Sequence, residues 1–397
     1  MLFVGIDIAK RSHEATILDE HGRQLSSPIK FANSFDGIHS FLRDVDSRDQ
    51  PTIFALEATG HYWLPLYEQL TATGRTVAVF NPLQTDAYRK SFLRKVKTDS
   101  RDSWIIADLL RIGRGQAGVI PDKHILQLRE LARFRFSLID QIGDLKRKII
   151  SILDRVFPEY ETLFTDIFQK SSRAILVRSA TADELAEFDL TELSDLLHST
   201  SRGRFGEDKA RQIKGTAAKS IGISLLADAC QIELRCLLSH IELLEEQVTL
   251  IDRHLAELLA SVPASQYLLS IKGIGTVLGA AILAEIGDIS RFSAPEKLVA
   301  YAGLDPSVYQ TGQFVANETH ISKRGSPYLR RAIWLAAGVA RQHNPDLQEV
   351  YERKIAQGKH HNDAIAAVAH RLLNRVFIVL KQQRPYVPRQ IVNVREN

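Results

Sequence analysis

The sequence predicts an α/β N-terminal domain with a mixed sheet, followed by a long helical, coiled-coil middle and a mainly helical C-terminal domain. Residues 1–120 begin with three strand patterns and then alternate helix and strand patterns, which is typical of a layered α/β domain. Residues 121–264 carry two long runs of apolar residues at three- and four-residue spacing, and residues 265–385 carry shorter helical patterns. A chain of 397 residues fits two or three domains of ~100–200 residues each.

The N-terminal elements follow from apolar alternation, polar turns and capping residues. Ser34 is a candidate N-cap for the first helix, because its side chain can accept a hydrogen bond from a free backbone N–H of the first turn. Strands are predicted at residues 2–7, 14–18, 24–31, 52–56 and 76–80. Helices are predicted at residues 35–45, 62–73, 85–93 and 100–112.

The middle of the chain is dominated by two long helical patterns. The first runs from about Lys123 to Phe157, where Pro158 stops it, and the second keeps strict three–four spacing from Leu234 to Val262. Sustained spacing of this kind is a coiled-coil signature, although a buried bundle helix is the alternative. The length favours an antiparallel hairpin or a dimerisation arm. Residues 158–222, between the two, read as several short helices.

The C-terminal domain begins with a helix, a Gly273-Ile-Gly275 hairpin and a second helix. Helix-hairpin-helix elements have this form, and their backbone N–H groups contact phosphates without reading sequence. The stretch Tyr301–Gly325 is rich in glycine and polar residues, which predicts a loop. Helices are predicted at residues 327–342, 345–357 and 362–382, followed by a loose tail.

Composition argues against a secreted or membrane protein. The longest apolar stretch, Thr276–Ile286, is shorter than the ~20 residues that a bilayer requires, and Asp7 interrupts the first apolar run. The two cysteines, Cys230 and Cys236, fit neither a zinc knuckle nor a disulfide framework, so we expect both to be core thiols in a reducing cytoplasm. The protein is therefore expected to be cytoplasmic, without a membrane partner.

The charge distribution points to a polyanionic partner. The net charge is only +4, but residues 320–397 hold 14 Lys and Arg against 5 Asp and Glu, and residues 89–114 hold 8 against 3. Two local basic patches on a nearly neutral chain are typical of nucleic-acid binding, and two solvated helix faces are the alternative.

Four acidic residues lie where an α/β domain would gather them. Asp7 and Glu57 end predicted strands, while Asp99 and Asp102 begin a predicted helix at a spacing that puts both carboxylates on one face. Clustered carboxylates repel one another unless a hard cation neutralises them, and Mg²⁺ prefers oxygen ligands. The four acids therefore predict a Mg²⁺ site, with Mn²⁺ as a substitute, suited to phosphoryl transfer.

Several motifs resemble the DEDD transposases of insertion-sequence family one-hundred-and-ten, relatives of Piv-type DNA invertases. The resemblance covers about residues 1–160 and 265–380. In the N-terminal part it rests on the segments Gly5–Lys10, Glu57–Tyr62, Asn81–Pro82 and Lys97–Asp102. In the C-terminal part it rests on Ile271–Gly275, Tyr301–Pro306 and Ile321–Arg331.

This resemblance implies a RuvC-like, RNase H-like fold for the N-terminal domain, with Asp7, Glu57, Asp99 and Asp102 as metal ligands. It also implies a nucleophilic serine in a Ser-Gly motif of the C-terminal domain, which forms a covalent link to a DNA phosphate. Active sites in the family pair the acids of one subunit with the hydroxyl of another. The implied partners are double-stranded DNA (element ends and target), a structured bridge RNA that guides recombination, and further copies of the chain as a dimer or a DNA-bound tetramer. The implied location is the bacterial or archaeal cytoplasm, at the nucleoid when active.

The chain departs from the family at the nucleophile, because Thr311-Gly312 stands where the family has Ser-Gly. Threonine can act as a nucleophile when activated, although its extra methyl crowds the approach to phosphorus. Three interpretations stay open: Thr311 is the nucleophile, which we favour; the chain is a weakened or silent variant; or Ser307 substitutes. An engineered substitution is a further option.

Basic residues near the motifs are candidates for holding nucleic-acid backbone. Contacts of this kind position a duplex without specifying its sequence. The candidates are Lys97, Arg101, Lys272, Lys323, Arg324, Arg330 and Arg331.

The sequence as a whole predicts a Mg²⁺-dependent DNA transposase or site-specific recombinase that cuts and rejoins DNA through a covalent intermediate. Two other classes remain. A junction-resolving nuclease would use the same acids with water as nucleophile, and a catalytically weakened or non-catalytic scaffold would bind nucleic acid without needing metal. An actin-like ATPase is disfavoured, because no glycine-rich second phosphate segment is present.

Overall fold

The computed structural model describes residues 1–92, 99–115, 118, 121–179, 181–306, 310–311, 314–315 and 321–388. The chain divides into two compact units, Met1–Ile120 and Pro121–Asn397. Within the described ranges, every helix is too short or too polar to cross a membrane.

The N-terminal unit is a five-stranded mixed sheet with helices packed against it. Its strands are β1 (Leu2–Asp7), β2 (Ser12–Leu18), β3 (Ile29–Ala32), β4 (Thr52–Glu57) and β5 (Thr76–Phe80). Its helices are α1 (Phe35–Asp46), α2 (Trp63–Ala72), α3 (Pro82–Lys90) and α4 (Asp99–Arg111). The strand order is β3-β2-β1-β4-β5, in which β1, β2 and β3 pair antiparallel and β1, β4 and β5 pair parallel. The predicted α/β class with a mixed sheet is confirmed.

The two faces of the sheet bury different helices. Side chains alternate along a strand, so Leu2, Val4 and Ile6 share one face of β1, where they join a core with α1 and α2. Ser34 caps α1 as predicted, accepting a hydrogen bond from the backbone N–H of Gly37 at 3.2 Å. The opposite face carries Gly5 and Asp7 and is covered by α4.

Gly5 allows α4 to approach β1 very closely. A Cβ atom at Gly5 would lie 2.2 Å from the backbone nitrogen of Ala107 and 2.3 Å from the carbonyl oxygen of Ser103. Thr16 of β2 is the register partner of Gly5. Its hydroxyl forms a 2.8 Å hydrogen bond with the hydroxyl of Ser103 in α4. The helix backbone therefore rests directly on the strand, which fixes the height of α4 above the sheet.

We expect Gly5→Ala to destabilise the N-terminal unit by about 3 kcal/mol, because a backbone-to-backbone clash cannot be relieved by a rotamer change. Denaturant unfolding followed by circular dichroism measures the effect. Gly215→Ala is the matched control, since Gly215 lies in a helix and a Cβ there meets nothing within 4 Å. That control should be neutral or stabilising by up to about 1 kcal/mol. Equal unfolding of both variants would show that α4 is not held by close contact at Gly5.

Across its described residues, the C-terminal unit is helical apart from a two-stranded hairpin. Its helices are α5 (Lys123–Val156), α6 (Lys170–Arg178), α7 (Ala182–Glu187), α8 (Leu190–Ser201), α9 (Glu207–Ala217), α10 (Ala227–Ala260), α11 (Ser265–Leu269), α12 (Thr276–Ile286), α13 (Pro295–Ala302), α14 (Pro327–His343), α15 (Pro345–Ala356) and α16 (His361–Gln382). The hairpin pairs β6 (Gln310–Thr311) with β7 (Phe314–Val315). Short 3₁₀ turns cover Pro158–Leu163 and Ile289–Arg291.

The two 34-residue helices α5 and α10 pack against each other antiparallel. The antiparallel direction is evident from two ion pairs between the helices, Arg135 with Asp252 and Arg155 with Glu233. The predicted heptad positions of α10 are largely buried in this seam, among them Leu234, Ile241, Leu244, Val248, Ile251 and Leu255. Of the two predicted arrangements for these helices, the structure shows the hairpin within one chain.

Some elements differ from their predicted positions. α3 begins at Pro82, three residues earlier than predicted, because Asn81 caps it and accepts from the N–H of Leu83 at 2.9 Å. β3 is shorter than predicted, and α13 was not predicted. The hairpin β6–β7 lies inside a stretch predicted to be loop. The expectation for Cys236 was wrong: Cys230 is buried, but Cys236 is exposed.

Candidate active site

Two of the predicted acids end neighbouring parallel strands. Asp7 is the last residue of β1 and Glu57 the last of β4, one step beyond the register pair Ile6–Leu56. Paired strands lie about 4.8 Å apart, and residues paired in register point to the same face. That face also carries Gly5, so both carboxylates lie on the side of the sheet that α4 covers.

Two threonine hydroxyls orient the Glu57 carboxylate. Thr59 donates to Oε1, and Thr85, which is fully buried in α3, donates to Oε2 at 2.5 Å. Hydrogen bonds from neighbouring hydroxyls fix the direction in which a ligand carboxylate points. Thr85 was not singled out by the sequence; its position three residues into the Asn81-Pro82 helix start is the only signal for it.

The two remaining acids belong to α4. Asp99 begins the helix, and Asp102 lies one turn further on, with 7% of its surface exposed. Oδ1 of Asp102 accepts a hydrogen bond from Nε of Arg89 at 3.0 Å, and Arg89 also lies 3.6 Å from Asp86. Burying a charge without a partner is costly, so a carboxylate this deeply buried requires a cation or several hydrogen-bond donors nearby. Arg89 provides that charge.

Sequence reasoning did not include Glu14, which lies beside the predicted acids. Glu14 is the register partner of Asp7 across the antiparallel β1–β2 pair, and its Oε1 accepts a hydrogen bond from the Ser100 hydroxyl at 2.5 Å. Residues directly opposite in such a pair share a face. Glu14 therefore adds a carboxylate at the edge of the site, next to the start of α4.

The donor set suits a hard divalent cation, since it consists of carboxylate oxygens at adjoining strand ends and on one helix. Among the described side chains, however, no three Asp, Glu, His or Cys residues are grouped closely enough to hold a metal ion. The side chain that stands in for such an ion at Asp102 is the Arg89 guanidinium. The oxygen donors of these acids are of the kind that a hard divalent cation binds.

In the C-terminal unit, the candidate nucleophile Thr311 lies on β6, where it pairs with Phe314 of β7. The alternative nucleophile Ser307 lies outside the described residues. The base of this loop is closed by a bridge between Pro306 and Ile321. Backbone N–H groups on the returning side donate to carbonyls on the outgoing side, in the pairs Ser322–Asp305 (2.8 Å), Lys323–Gly303 (3.1 Å) and Ser326–Tyr301 (2.8 Å).

A buried carboxylate lies beneath the base of this loop. Glu285 of α12 is 2% exposed and accepts two hydrogen bonds from Arg133 of α5, at 2.7 and 3.0 Å. It accepts a third from the hydroxyl of Ser326 at 2.7 Å, and Ser326 in turn caps α14 by accepting from the N–H of Leu329. Glu285 therefore connects three helices to the residue at which the loop ends.

Three of the predicted nucleic-acid contacts are exposed cations of the C-terminal unit. Lys272 lies in the turn between α11 and α12, and Lys323 and Arg324 lie just before α14. Lys323 has a positive φ of 52°, which places it in a tight turn. In the same turn region as Lys272, Gly273 has a φ of 104°, which glycine adopts at no steric cost.

Two others are engaged in contacts within the protein. Arg330 donates to the carbonyl oxygen of Ala302 at 3.1 Å, and Arg331 makes a two-pronged ion pair with Asp140, both bonds being 2.7 Å. These arginines hold α14 to its neighbours, so any phosphate contact would have to share or displace these partners.

The remaining two candidates belong to the N-terminal unit. The guanidinium of Arg101 stacks over the rings of Phe92 and Trp104, at 4.7 and 4.4 Å from their centres. Such stacking holds the cation at the surface of α4. Lys97 lies outside the described residues.

Comparison with known families assigns two parts of the chain to a class of protein. Residues 4–158 match the DEDD family model of IS110 type, described as a transposase, and residues 265–352 match the model of the transposase IS116/IS110/IS902 family. The chain belongs to this IS110 family of transposases.

Relatives with full-length similarity carry related descriptions. An uncharacterized 44.8 kDa protein of insertion element IS116 from Streptomyces clavuligerus is 26% identical over 98% of this chain and 96% of its own length. The mini-circle putative transposase for IS117 from Streptomyces coelicolor is 28% identical over 94% and 91% of the two chains. The pilin gene-inverting protein of Moraxella bovis is 24% identical over 97% of each.

Proposed function

We propose that this protein is a DNA transposase or site-specific recombinase whose N-terminal unit is an RNase H-like, RuvC-like catalytic domain. The observation that carries the proposal is the placement of Asp7 and Glu57 at the ends of adjacent parallel strands, with Asp102 on the helix that covers their face. The strand order, with three antiparallel strands followed by two parallel ones, supports the RNase H-like assignment. Family membership and the similarity to a gene-inverting protein support recombination as the reaction.

The acids would hold Mg²⁺ or Mn²⁺ through Asp7, Glu57, Asp99 and Asp102. When bound, such an ion acts as a Lewis acid that neutralises charge on a phosphate undergoing displacement. The protein's own contribution is orientation: Thr59 and Thr85 direct Glu57, and the contact at Gly5 fixes the height of α4. Arg101 and the exposed cations would position the DNA backbone.

The Thr311 hydroxyl would be the nucleophile. Its oxygen would form a bond to a DNA phosphorus while the bond from that phosphorus to a deoxyribose oxygen breaks. The threonine would lose its proton, and the departing sugar oxygen would take one up and leave as a hydroxyl. Attack by a hydroxyl of the partner strand would then release threonine and join the new ends. The closed base of the loop supports this role, because it fixes both ends of the segment that carries Thr311. By family resemblance, each site would combine the acids of one subunit with Thr311 of another.

The proposed partners are double-stranded DNA, a structured guide RNA and further copies of the chain, forming a dimer and a tetramer on DNA. With RNA guidance, base pairing would choose the target, and the protein would read the shape and backbone of the duplexes. The turn between α11 and α12 would act as a helix-hairpin-helix phosphate contact through Lys272 and neighbouring N–H groups. A coiled-coil dimer would have to use the outer surfaces of α5 and α10, because their apolar seam is filled within one chain.

A test for a covalent protein–DNA adduct distinguishes this proposal from its rivals. The protein is expressed together with RNA from the DNA flanking its gene, mixed with labelled element-end DNA and Mg²⁺, and run on a denaturing gel. We expect an adduct from the native chain, retention or strengthening of the adduct in Thr311→Ser, and its loss in Thr311→Ala. The alanine variant removes the only hydroxyl at that position.

Each other outcome contradicts a part of the proposal. An adduct from Thr311→Ser but none from the native chain would identify a silenced recombinase. Metal-dependent cutting without any adduct, unaffected by Thr311→Ala, would identify a junction-resolving nuclease that uses water. Binding without cutting in any variant would identify a nucleic-acid scaffold.

A further inference from the structure

We propose that Arg89 is a latch on the acid site: it occupies the cation position at Asp102 in the resting protein, and a divalent metal ion binds only when Arg89 moves to Asp86. This inference rests on the proposed metal-binding function of the acids. It concerns the acid site before a metal ion binds, and Arg89 acts on metal binding through Asp102, as a positioning residue.

The first support is the burial of the Asp102–Arg89 pair. The Asp102 side chain is 10% exposed and that of Arg89 26%, with Nε of Arg89 at 3.0 Å from Oδ1. Burying a charge without a partner is costly, and buried charges in proteins are therefore paired. Arg89 is the cation partner of the largely buried Asp102 carboxylate.

The second support is that Arg89 and a metal ion cannot share Asp102 without repulsion. A guanidinium in hydrogen-bond contact with one carboxylate oxygen would lie within a few ångströms of a dication on the other oxygen, and like charges at that distance oppose each other strongly in a partly buried site. Metal binding at Asp102 should therefore expel Arg89, and Arg89 should weaken metal binding.

The third support is a second acceptor within reach of the same side chain. Nη1 of Arg89 already lies 3.6 Å from Oδ1 of Asp86, which is on the same helix one turn earlier and is more exposed. Lys90 also pairs with Asp86, at 2.7 Å. Arg89 can therefore transfer to Asp86 by a side-chain movement, without displacing α3.

A separate contact holds α3 to α4 when the latch opens. The Tyr88 hydroxyl donates to Oδ2 of Asp108 at 2.6 Å, and burial together with Asp108 raises the pKa of Tyr88 to about 12. The phenol therefore remains a hydrogen-bond donor at neutral pH. The helices stay together through Tyr88 while Arg89 changes partner.

The experiment measures Mn²⁺ binding by isothermal titration calorimetry on the full chain, with Asp102→Asn as a test of the site. We expect Arg89→Gln to bind Mn²⁺ on the order of 10-fold more tightly than the native chain, the size of effect that groups around a metal ligand commonly have. Arg89→Lys, which keeps the positive charge but loses the planar guanidinium with its several donors, should bind Mn²⁺ with intermediate affinity. It also serves if Arg89→Gln does not fold.

Arg111→Gln is the matched control. Arg111 makes the same kind of ion pair within α4, the helix that carries Asp102, donating to Asp108 at 2.9 and 2.6 Å, and its contacts include none of the predicted metal ligands among the described residues. It should lower the melting temperature in EDTA, as Arg89→Gln should, without changing Mn²⁺ affinity.

Two results would overturn the latch, and they differ. Equal Mn²⁺ affinity in the native chain and Arg89→Gln, with loss of binding in Asp102→Asn, would reject the latch and leave the metal site in place. Absence of Mn²⁺ binding in the native chain and both Arg89 variants, or binding indifferent to Asp102→Asn, would reject the metal site and the latch together.

Discussion

Asp102→Asn is expected to reduce DNA strand cleavage by about 10³-fold while largely retaining DNA and RNA binding. An amide has nearly the shape of the carboxylate but carries no charge to share with a metal ion. Loss of one such ligand removes transition-state stabilisation of about 4 kcal/mol, and each 1.36 kcal/mol is roughly a tenfold change in rate. Nucleic-acid affinity depends mainly on cations that contact phosphates, so it should change little.

Cleavage of labelled DNA under single-turnover conditions measures the rate, and a gel shift at fixed salt measures binding. Asp44→Asn is the control, because Asp44 is an exposed acid of α1, paired only with Arg48, on the other side of the sheet. It should cleave at the native rate. If Asp102→Asn lost binding as strongly as cleavage, Asp102 would be a structural residue and not a ligand of the reacting site.

The second large effect is expected at Glu285. Glu285→Ala should lower the stability of the C-terminal unit by about 3–5 kcal/mol, because it leaves the charge of Arg133 partly buried without its partner. Ser326 loses an acceptor at the same time, and the cap of α14 is weakened. Guanidinium unfolding followed by circular dichroism, with the transition assigned by limited proteolysis, measures the loss.

A double substitution separates charge from packing in this prediction. Arg133→Met combined with Glu285→Leu removes both charges and keeps the volume, so it should recover most of the lost stability. The recovered protein should still form less adduct than the native chain, since Ser326 no longer has the acceptor that fixes the end of the loop. A double variant as unstable as Glu285→Ala would mean that the packing at these two positions, and not the unpaired charge, determines the stability of the C-terminal unit.

Local patterns predicted most of the fold. The strands at residues 2–7 and 76–80 and the start of the long helix at Lys123 match their predicted bounds, because apolar periodicity and capping residues are local signals. The start of α3 was misplaced because the apolar pattern was given more weight than the Asn81-Pro82 start signal. α13 carries the same kind of signal in Pro295 and ends at a glycine in the left-handed region, Gly303, and it could have been predicted on those grounds.

The candidate site was predictable only in part. The acids at strand ends were found because parallel neighbours bring their carboxyl ends to one edge of a sheet. Glu14 was missed because its place beside Asp7 depends on the register of an antiparallel pair, which composition does not fix. The contact of Arg89 with Asp102 joins residues on two helices, and no periodic pattern marks it.

The antiparallel pair α5 and α10 brings the two ends of residues 157–226 together. The chain enters and leaves this region at one end of the helix pair, where Ile223 donates to the carbonyl of Arg155 and Ser220 donates to Glu159. The region packs back on the helix pair, sharing its core and joining α10 through the ion pair of Arg173 with Glu245. Since α5 ends at Val156 and α10 begins at Ala227, the two helices are neighbours in space but must meet across this whole segment, which makes their pairing a non-local folding event.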